Sequence, residues 1–219
     1  MKPLLIINFK TYKESSGKNA LKLAQQLEKV AKKSSVLIAV DNLDIAQLTK
    51  RIHLRILSQY IDPVTYGSHT GKIVPEEIKK DGAYGVLINH AEDRLPFPIL
   101  KKTIARAKEA KLKTFVCSAS FHEIKKIIQL KPDAIAFEVP SLIGTGKSIS
   151  RYKPKSVTHF SNILRKTKII PLCGAGISTK EDVEIALSLG AKGVLISSAI
   201  VKAKNPGEKL KELLTDKFL

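Results

Sequence analysis

Tryptophan is absent from the 219-residue chain, methionine occurs once, cysteine twice, and the other aromatics amount to 5 Tyr and 7 Phe. Each scarcity closes an option. With so few rings interleaved among the lysines, the chain lacks the stacking platform on which a nucleic-acid module seats its bases. Cys117 and Cys173 are far apart and stand at no metal-ligand spacing, so no metal centre is expected. Each closes an apolar run, where buried free thiols are common. No apolar run approaches the roughly 18 residues that span a bilayer. Leu4–Ile7 is too short for the apolar core of a secretory leader and is followed at once by Asn8, Lys10 and Lys13. A cytoplasmic address without a membrane partner is therefore expected.

Acidic side chains are scarce as well. Twenty Asp and Glu stand against 38 Lys and Arg, a formal charge of +18. Such a balance attracts anions. The lysines are dispersed, as in Lys18, Lys22 and Lys29, so they read as a solvated surface that draws in small anionic substrates. A basic nucleic-acid-binding protein is the alternative from another functional class. Abundant Lys and Ile with a single Met point towards heat adaptation.

What the chain does have is a regular alternation. Short apolar runs at Leu4–Ile7, Val36–Val40, Leu54–Ser58, Gly85–Ile88, Thr114–Cys117, Ala134–Phe137, Lys168–Leu172 and Gly193–Ile196 read as strands. Helical patterns separate them, such as Ala20, Leu21, Ala24, Leu27, Val30 and Ala31 at helical spacing. Asp41 or Asn42 can cap the second helix, Pro75 opens another, and Ser178 with Glu181 reads as a capping box. Strands that are apolar on both faces indicate a parallel sheet covered by helices. Eight such units in this length predict one α/β domain over residues 1–219, a closed (β/α)8 barrel, with an open doubly wound sheet as the structural alternative. The long segment Tyr60–Val74, tipped by Tyr66–Gly71, has the length of a functional or partner-contacting loop.

In such a barrel the residues just after each strand converge on one face. That rule collects Asn8 and Lys10, Gln59, His90 and Glu92, Glu138, Gly174 and Gly176, and Ser197 and Ser198. Ala134–Ser148 is the richest stretch: a strand, a carboxylate, a segment able to act as a lid, and the glycine-bracketed Ile143–Ser148 able to wrap a phosphate. Gly144–Ser148 is no P-loop, because G-x-x-x-x-G-K-[ST] needs glycine where Ser141 stands. Neither a metal set nor a Ser/His/Asp arrangement appears. A proton-transfer site beside a phosphate cradle remains.

The motifs NFK (Asn8–Lys10), NHAE (Asn89–Glu92), FE…IGTGKS (Phe137–Ser148) and GAGI (Gly174–Ile177) occur in order at strand ends. With them the chain resembles the triosephosphate isomerase family, in its short archaeal type, over essentially its whole length. The resemblance implies a cofactor-free enzyme interconverting dihydroxyacetone phosphate and glyceraldehyde 3-phosphate. It implies Glu138 as base, His90 as electrophile and Lys10 as the enediolate's cation, with Asn8 beside it and Glu92 in support. It implies phosphate contacts from Gly144, Gly176, Ser197 and Ser198, with Ile143 at the lid hinge. The serines precede the last helix, whose N-terminus favours an anion. Another sugar-phosphate isomerase or an aldolase is the nearest rival. The chain departs from the family pattern in Val139 before Pro140 where proline usually follows the base, in Ala91 after the histidine, in the missing lid tryptophan, and in the missing tyrosine after strand seven. The loop tip Ser68–Gly71 resembles one that docks into a neighbouring subunit, which implies a homodimer at least and, for the archaeal type, a homotetramer.

Overall fold

Alternate residues along every strand go to two different places, and this sorting builds the molecule. Ile6, Leu37, Leu57, Leu87, Phe115, Ala136, Leu172 and Leu195 form one buried cluster inside a barrel. Their strand neighbours Ile7, Ile38, Ile56, Val86, Val116, Ile135, Cys173 and Val194 belong to a second, larger cluster between the barrel and its helices. Because both faces are covered, the strands read as continuous apolar runs rather than as alternating ones.

This computed structural model describes residues 2–31, 35–143 and 145–218. Eight parallel strands, β1 (Leu4–Asn8), β2 (Val36–Val40), β3 (Arg55–Ser58), β4 (Gly85–Ile88), β5 (Lys113–Ser118), β6 (Ala134–Phe137), β7 (Ile170–Gly174) and β8 (Gly193–Ile196), close in sequence order. Closure is direct: β8 pairs with β1, Leu4 opposite Gly193 and Ile7 opposite Ile196. That pairing excludes the doubly wound alternative, whose edge strands stay open. Between the strands lie α1 (Lys18–Ala31), α2 (Asn42–Thr49), α3 (Pro75–Lys80), α4 (Phe97–Glu109), α5 (Phe121–Gln129), α6 (Ile149–Tyr152), α7 (Pro154–Leu164) and α8 (Lys180–Ser188), and after β8 come α9 (Ser198–Val201) and α10 (Pro206–Leu213).

Local chemistry explains the boundaries. Asp41 caps α2 through Leu43 N at 2.9 Å, and Pro75 opens α3, both as expected. The capping box of α8 lies one residue later than expected: Thr179 accepts from Asp182 N, and Asp182 accepts from Thr179 N. Asp182 takes the position because it is buried against Arg151, whereas Glu181 points outward. The closing helix is also two pieces, since Asn205 caps α10 by accepting from Glu208 N and Pro206 follows it. Ser197 thus precedes, and Ser198 opens, a single turn rather than the long last helix. Among the described residues no helix is long and apolar enough to cross a membrane.

Candidate active site

The carboxyl ends of the strands bring the polar residues together. Even-numbered residues of β1 and β6 face the barrel interior (Ile6; Ala134 and Ala136), and the same alternation carries Asn8, Lys10 and Glu138 into its mouth. A cavity of about 310 Å³ lies there, lined by Asn8, Lys10, His90, Glu138, Gly176 and Ser197 among others. Ile143 and Ser198 line it too. Of the other sequence-predicted residues, Gln59, Glu92 and Gly174 do not line it, and Gly144 lies outside the described residues.

Glu138 is 4% exposed. Its Oε1 is 3.4 Å from His90 Nε2, and its Oε2 is buried without a hydrogen-bond partner among the described residues. A buried carboxylate oxygen left unpaired is costly unless something binds there. The Glu92 backbone N–H points at His90 Nδ1 from 3.2 Å. An N–H aims at a lone pair, so Nδ1 carries no proton in this geometry and Nε2 does. Two influences oppose at this ring. Burial disfavours the charged imidazole, but contact with Glu138 and the nearby charge of Glu92 outweigh it and raise the pKa above the ordinary histidine value. The amide opposes protonation. It is the fixed partner, because it belongs to the backbone, whereas the Glu138 carboxylate has rotatable bonds.

Lys10 Nζ donates to Glu92 Oε1 at 2.5 Å, which holds the ammonium between β1 and β4. Lys10 takes a left-handed backbone, φ +51, and its N–H donates to Asn8 Oδ1 at 3.1 Å. Gln59 Nε2 donates to the same oxygen at 3.1 Å and to Lys10 O at 3.3 Å. Gln59, grouped by position alone in the sequence, therefore orients both Asn8 and the lysine loop. Tyr12 was not singled out in the sequence, although its place two residues after Lys10 was the available signal. It lines the cavity, and Lys202 Nζ lies 4.1 Å from its ring centroid.

The turn after β7 is sharp, with Ala175 at φ +78 and Gly176 at φ +73. A Cβ on Gly176 would sit 2.0 Å from Lys147 O, so only glycine lets the distal arm of the lid segment lie on this turn. Ile149 N donates to Ala175 O at 3.2 Å and closes the same contact. On the near arm Val139 is extended and Pro140–Leu142 form one helical turn with Leu142 buried. Ser197 Oγ, buried and unpartnered among the described residues, completes a cradle of polar groups opposite Glu138. Among the described residues no group of three or more His, Cys, Asp or Glu could hold a metal ion.

Fold and site together define a (β/α)8 barrel with a carboxylate, an imidazole and an ammonium gathered at its carboxyl-terminal mouth. The family model described as triosephosphate isomerase matches residues 3–215. Triosephosphate isomerases of Methanobrevibacter smithii (42% identical, covering 97% of this chain and 98% of that one) and Methanocaldococcus jannaschii (41%; 96% and 98%) are similar throughout. So is that of Saccharolobus solfataricus (40%; 97% and 95%). In structure the chain is similar to the triosephosphate isomerase of Bartonella henselae, with a TM-score of 0.72 at 16% identity over 97% of this chain and 99% of that one. The chain belongs to the triosephosphate isomerase family.

Proposed function

We propose that the protein interconverts dihydroxyacetone phosphate and glyceraldehyde 3-phosphate, a step of glycolysis and gluconeogenesis, without a cofactor. The observation that carries the site assignment is the buried carboxylate of Glu138, 4% exposed, with Oε1 3.4 Å from His90 Nε2 and Oε2 unpartnered among the described residues. Glu138 takes the proton from the carbon next to the carbonyl. His90, with its proton on Nε2, donates a hydrogen bond to the carbonyl oxygen and moves protons between the two oxygens of the enediolate. Lys10 supplies the fixed positive charge that the developing oxyanion needs, and Asn8 contacts the same oxygens. Gly176, Ser197 and Ser198, with Gly144, bind the phosphate. Closure of the segment from Val139 to Gly144, hinged at Ile143, excludes water and protects the enediolate from losing its phosphate.

The same reading includes self-association through the exposed tip of the loop between β3 and α3, where Tyr66 is 54% exposed. It gives a homodimer at least and a homotetramer for the archaeal type, in the cytoplasm. Turnover of glyceraldehyde 3-phosphate in heavy water tests the chemistry. The dihydroxyacetone phosphate formed should carry deuterium at C1, read by proton NMR. No turnover, or no deuterium in either triose phosphate after prolonged equilibration with the enzyme in heavy water, overturns the proton-transfer reading.

A further inference from the structure

His90 stands where strand alternation does not put it. On β4 Leu87 faces the barrel interior and Ile88 the helix layer. Continued alternation would turn residue 89 inward and residue 90 outward. His90 is nevertheless in the barrel mouth, 3.4 Å from Glu138. The reversal occurs at Asn89, a non-glycine residue with φ +64, a conformation that persists only where the surroundings over-determine it.

The surroundings of Asn89 do so. Its Nδ2 donates to Cys117 O at 2.9 Å and to Glu123 Oε1 at 3.1 Å. Its Oδ1 accepts from Leu95 N at 2.9 Å, and its carbonyl accepts from Arg94 Nη1 at 3.1 Å. Arg94 also pairs through Nη2 with Glu123 Oε1. Glu123 Oε2 in turn accepts from Ser118 Oγ at 2.8 Å and Ala119 N at 3.0 Å. Asn89 is 3% exposed, and both donors and the acceptor of its amide are used. Burial alone would raise the Glu123 pKa, but Arg94 and the amide and hydroxyl donors hold it below the usual value, so Glu123 faces Arg94 as an ionised carboxylate.

We propose that Asn89, locked by Glu123 and Arg94, is a positioning residue that turns the His90 imidazole into the site. The proposal rests on the assignment of His90 as the electrophile. The Ser118 and Ala119 contacts of Glu123 belong to the start of α5 and would exist without any catalytic purpose. The contacts to Arg94 and Asn89 do not serve that helix. They reach back to the residue whose backbone reverses the strand's alternation.

The test uses the full chain labelled with 15N-histidine, with His90 resonances assigned against His90→Gln. Asn89→Gly keeps access to the left-handed backbone while removing the side-chain clamp, so it should fold. It is expected to lower kcat about 10- to 100-fold, as misplaced catalytic groups do, with KM changed less than about threefold. The His90 imidazole resonances should move from the Nε2-protonated pattern towards an average of the two tautomers. Glu123→Gln keeps an acceptor for Asn89 but loses the charge facing Arg94, so a smaller fall in kcat, about threefold to tenfold, is expected with a smaller shift. Wild-type kcat and unmoved His90 resonances in both variants, even with a lowered Tm, overturn the proposal and leave the cluster structural. Moved resonances in a protein whose unaltered chain shows no isomerase activity support the clamp and overturn the reading of the reaction instead.

Discussion

The two mouths of the barrel differ in a way that cavity size alone would misjudge. The amino-terminal mouth opens into a cavity of about 1020 Å³, floored by Leu37, Tyr84 and Phe115 and rimmed by Arg55, Lys113 and Lys168. The carboxyl-terminal cavity is about 310 Å³. The larger one is apolar below and solvated above: Lys113 is 53% exposed and already paired with Asp133. The smaller one holds buried polar atoms without partners among the described residues, Glu138 Oε2 and Ser197 Oγ. Two such atoms facing one cavity that also holds His90 and Lys10 mark where a ligand belongs, because leaving them unsatisfied has a cost that binding can return. The sharpest way to break the comparison is Glu138→Gln, which keeps the shape and removes the carboxylate proposed as the base. Turnover should fall about 10³-fold, within the range for losing a general base, while affinity for inorganic phosphate changes little. A variant within tenfold of wild type would remove Glu138 from the chemistry.

Equivalent lesions at the two mouths should have different consequences. At Gly176 an added Cβ would meet Lys147 O at 2.0 Å, and relief requires the turn and the lid arm to part. Gly176→Ala should therefore lower kcat/KM about 100-fold, the scale of an ångström-sized misplacement. At Gly193, on β8, an added Cβ would meet Leu4 O at 2.3 Å and Leu172 Cδ2 at 2.8 Å. There the strain falls on the β1–β8 seam and the barrel interior. Gly193→Ala should lower stability by about 2 kcal/mol, in the range of overpacking, with kcat and KM of the folded enzyme unchanged. Urea melts paired with initial rates separate the two outcomes. A catalytic loss at Gly193 would mean that the seam and the site are coupled.

How far the sequence alone reached follows from the same geometry. Asn8, Lys10 and Glu138 were legible because each extends its strand's alternation, so a position after a strand end sufficed. His90 was gathered by its place after a strand end and by the NHAE motif, but not by strand alternation. Alternation by itself sends it outward, and the left-handed Asn89 that reverses it depends on Glu123, distant in the chain. Thr179 and Asp182 were misregistered by one residue because Ser178 and Glu181 satisfy the same local pattern, and only burial against Arg151 decides between them. The break before Asn205–Pro206 carried a local helix-start signal, an Asn cap followed by Pro, that the expectation of one last helix passed over. Contacts over long separation are where residue patterns fall silent.

Asp182 offers a smaller, pH-dependent test on the lid side. Its carboxylate accepts from Ser178 N and Thr179 N, each at 3.0 Å, and from Arg151 Nε at 2.6 Å, tying α6 to the start of α8. Burial alone would raise its pKa, but these donors hold it below the usual carboxylate value. A depressed folded pKa means that stability is present above the unfolded value, about 3.9, and is lost as pH falls through the folded one. Asp182→Asn should cost about 2 kcal/mol at pH 7 by losing charge-assisted hydrogen bonds. The gap from wild type should narrow below about pH 4, as shown by thermal melts across the acid range. A gap that stays constant down to the acid limit would remove the charge from the account.

The smallest effect belongs to the wide mouth, and there its smallness is the point. Lys113 pairs with Asp133 at 2.8 Å, and the pair draws the lysine pKa upward. Both partners are in contact with solvent, at 53% and 30% exposure, so the attraction is screened by water and salt. Removing the lysine does not strand a buried charge, because Asp133 Oδ2 still accepts from Thr114 N at 2.8 Å and Thr114 Oγ1 at 3.1 Å. Lys113→Ala should therefore change stability by less than about 1 kcal/mol, as exposed pairs do, and leave kcat and KM at wild-type values. Steady-state kinetics at low and high salt check both parts, since any long-range attraction of the anionic substrate by this rim would appear as a salt-sensitive loss in kcat/KM. Such a loss would show that the positive charge of the wide mouth reaches the site through the barrel, and the two ends could no longer be treated as separate.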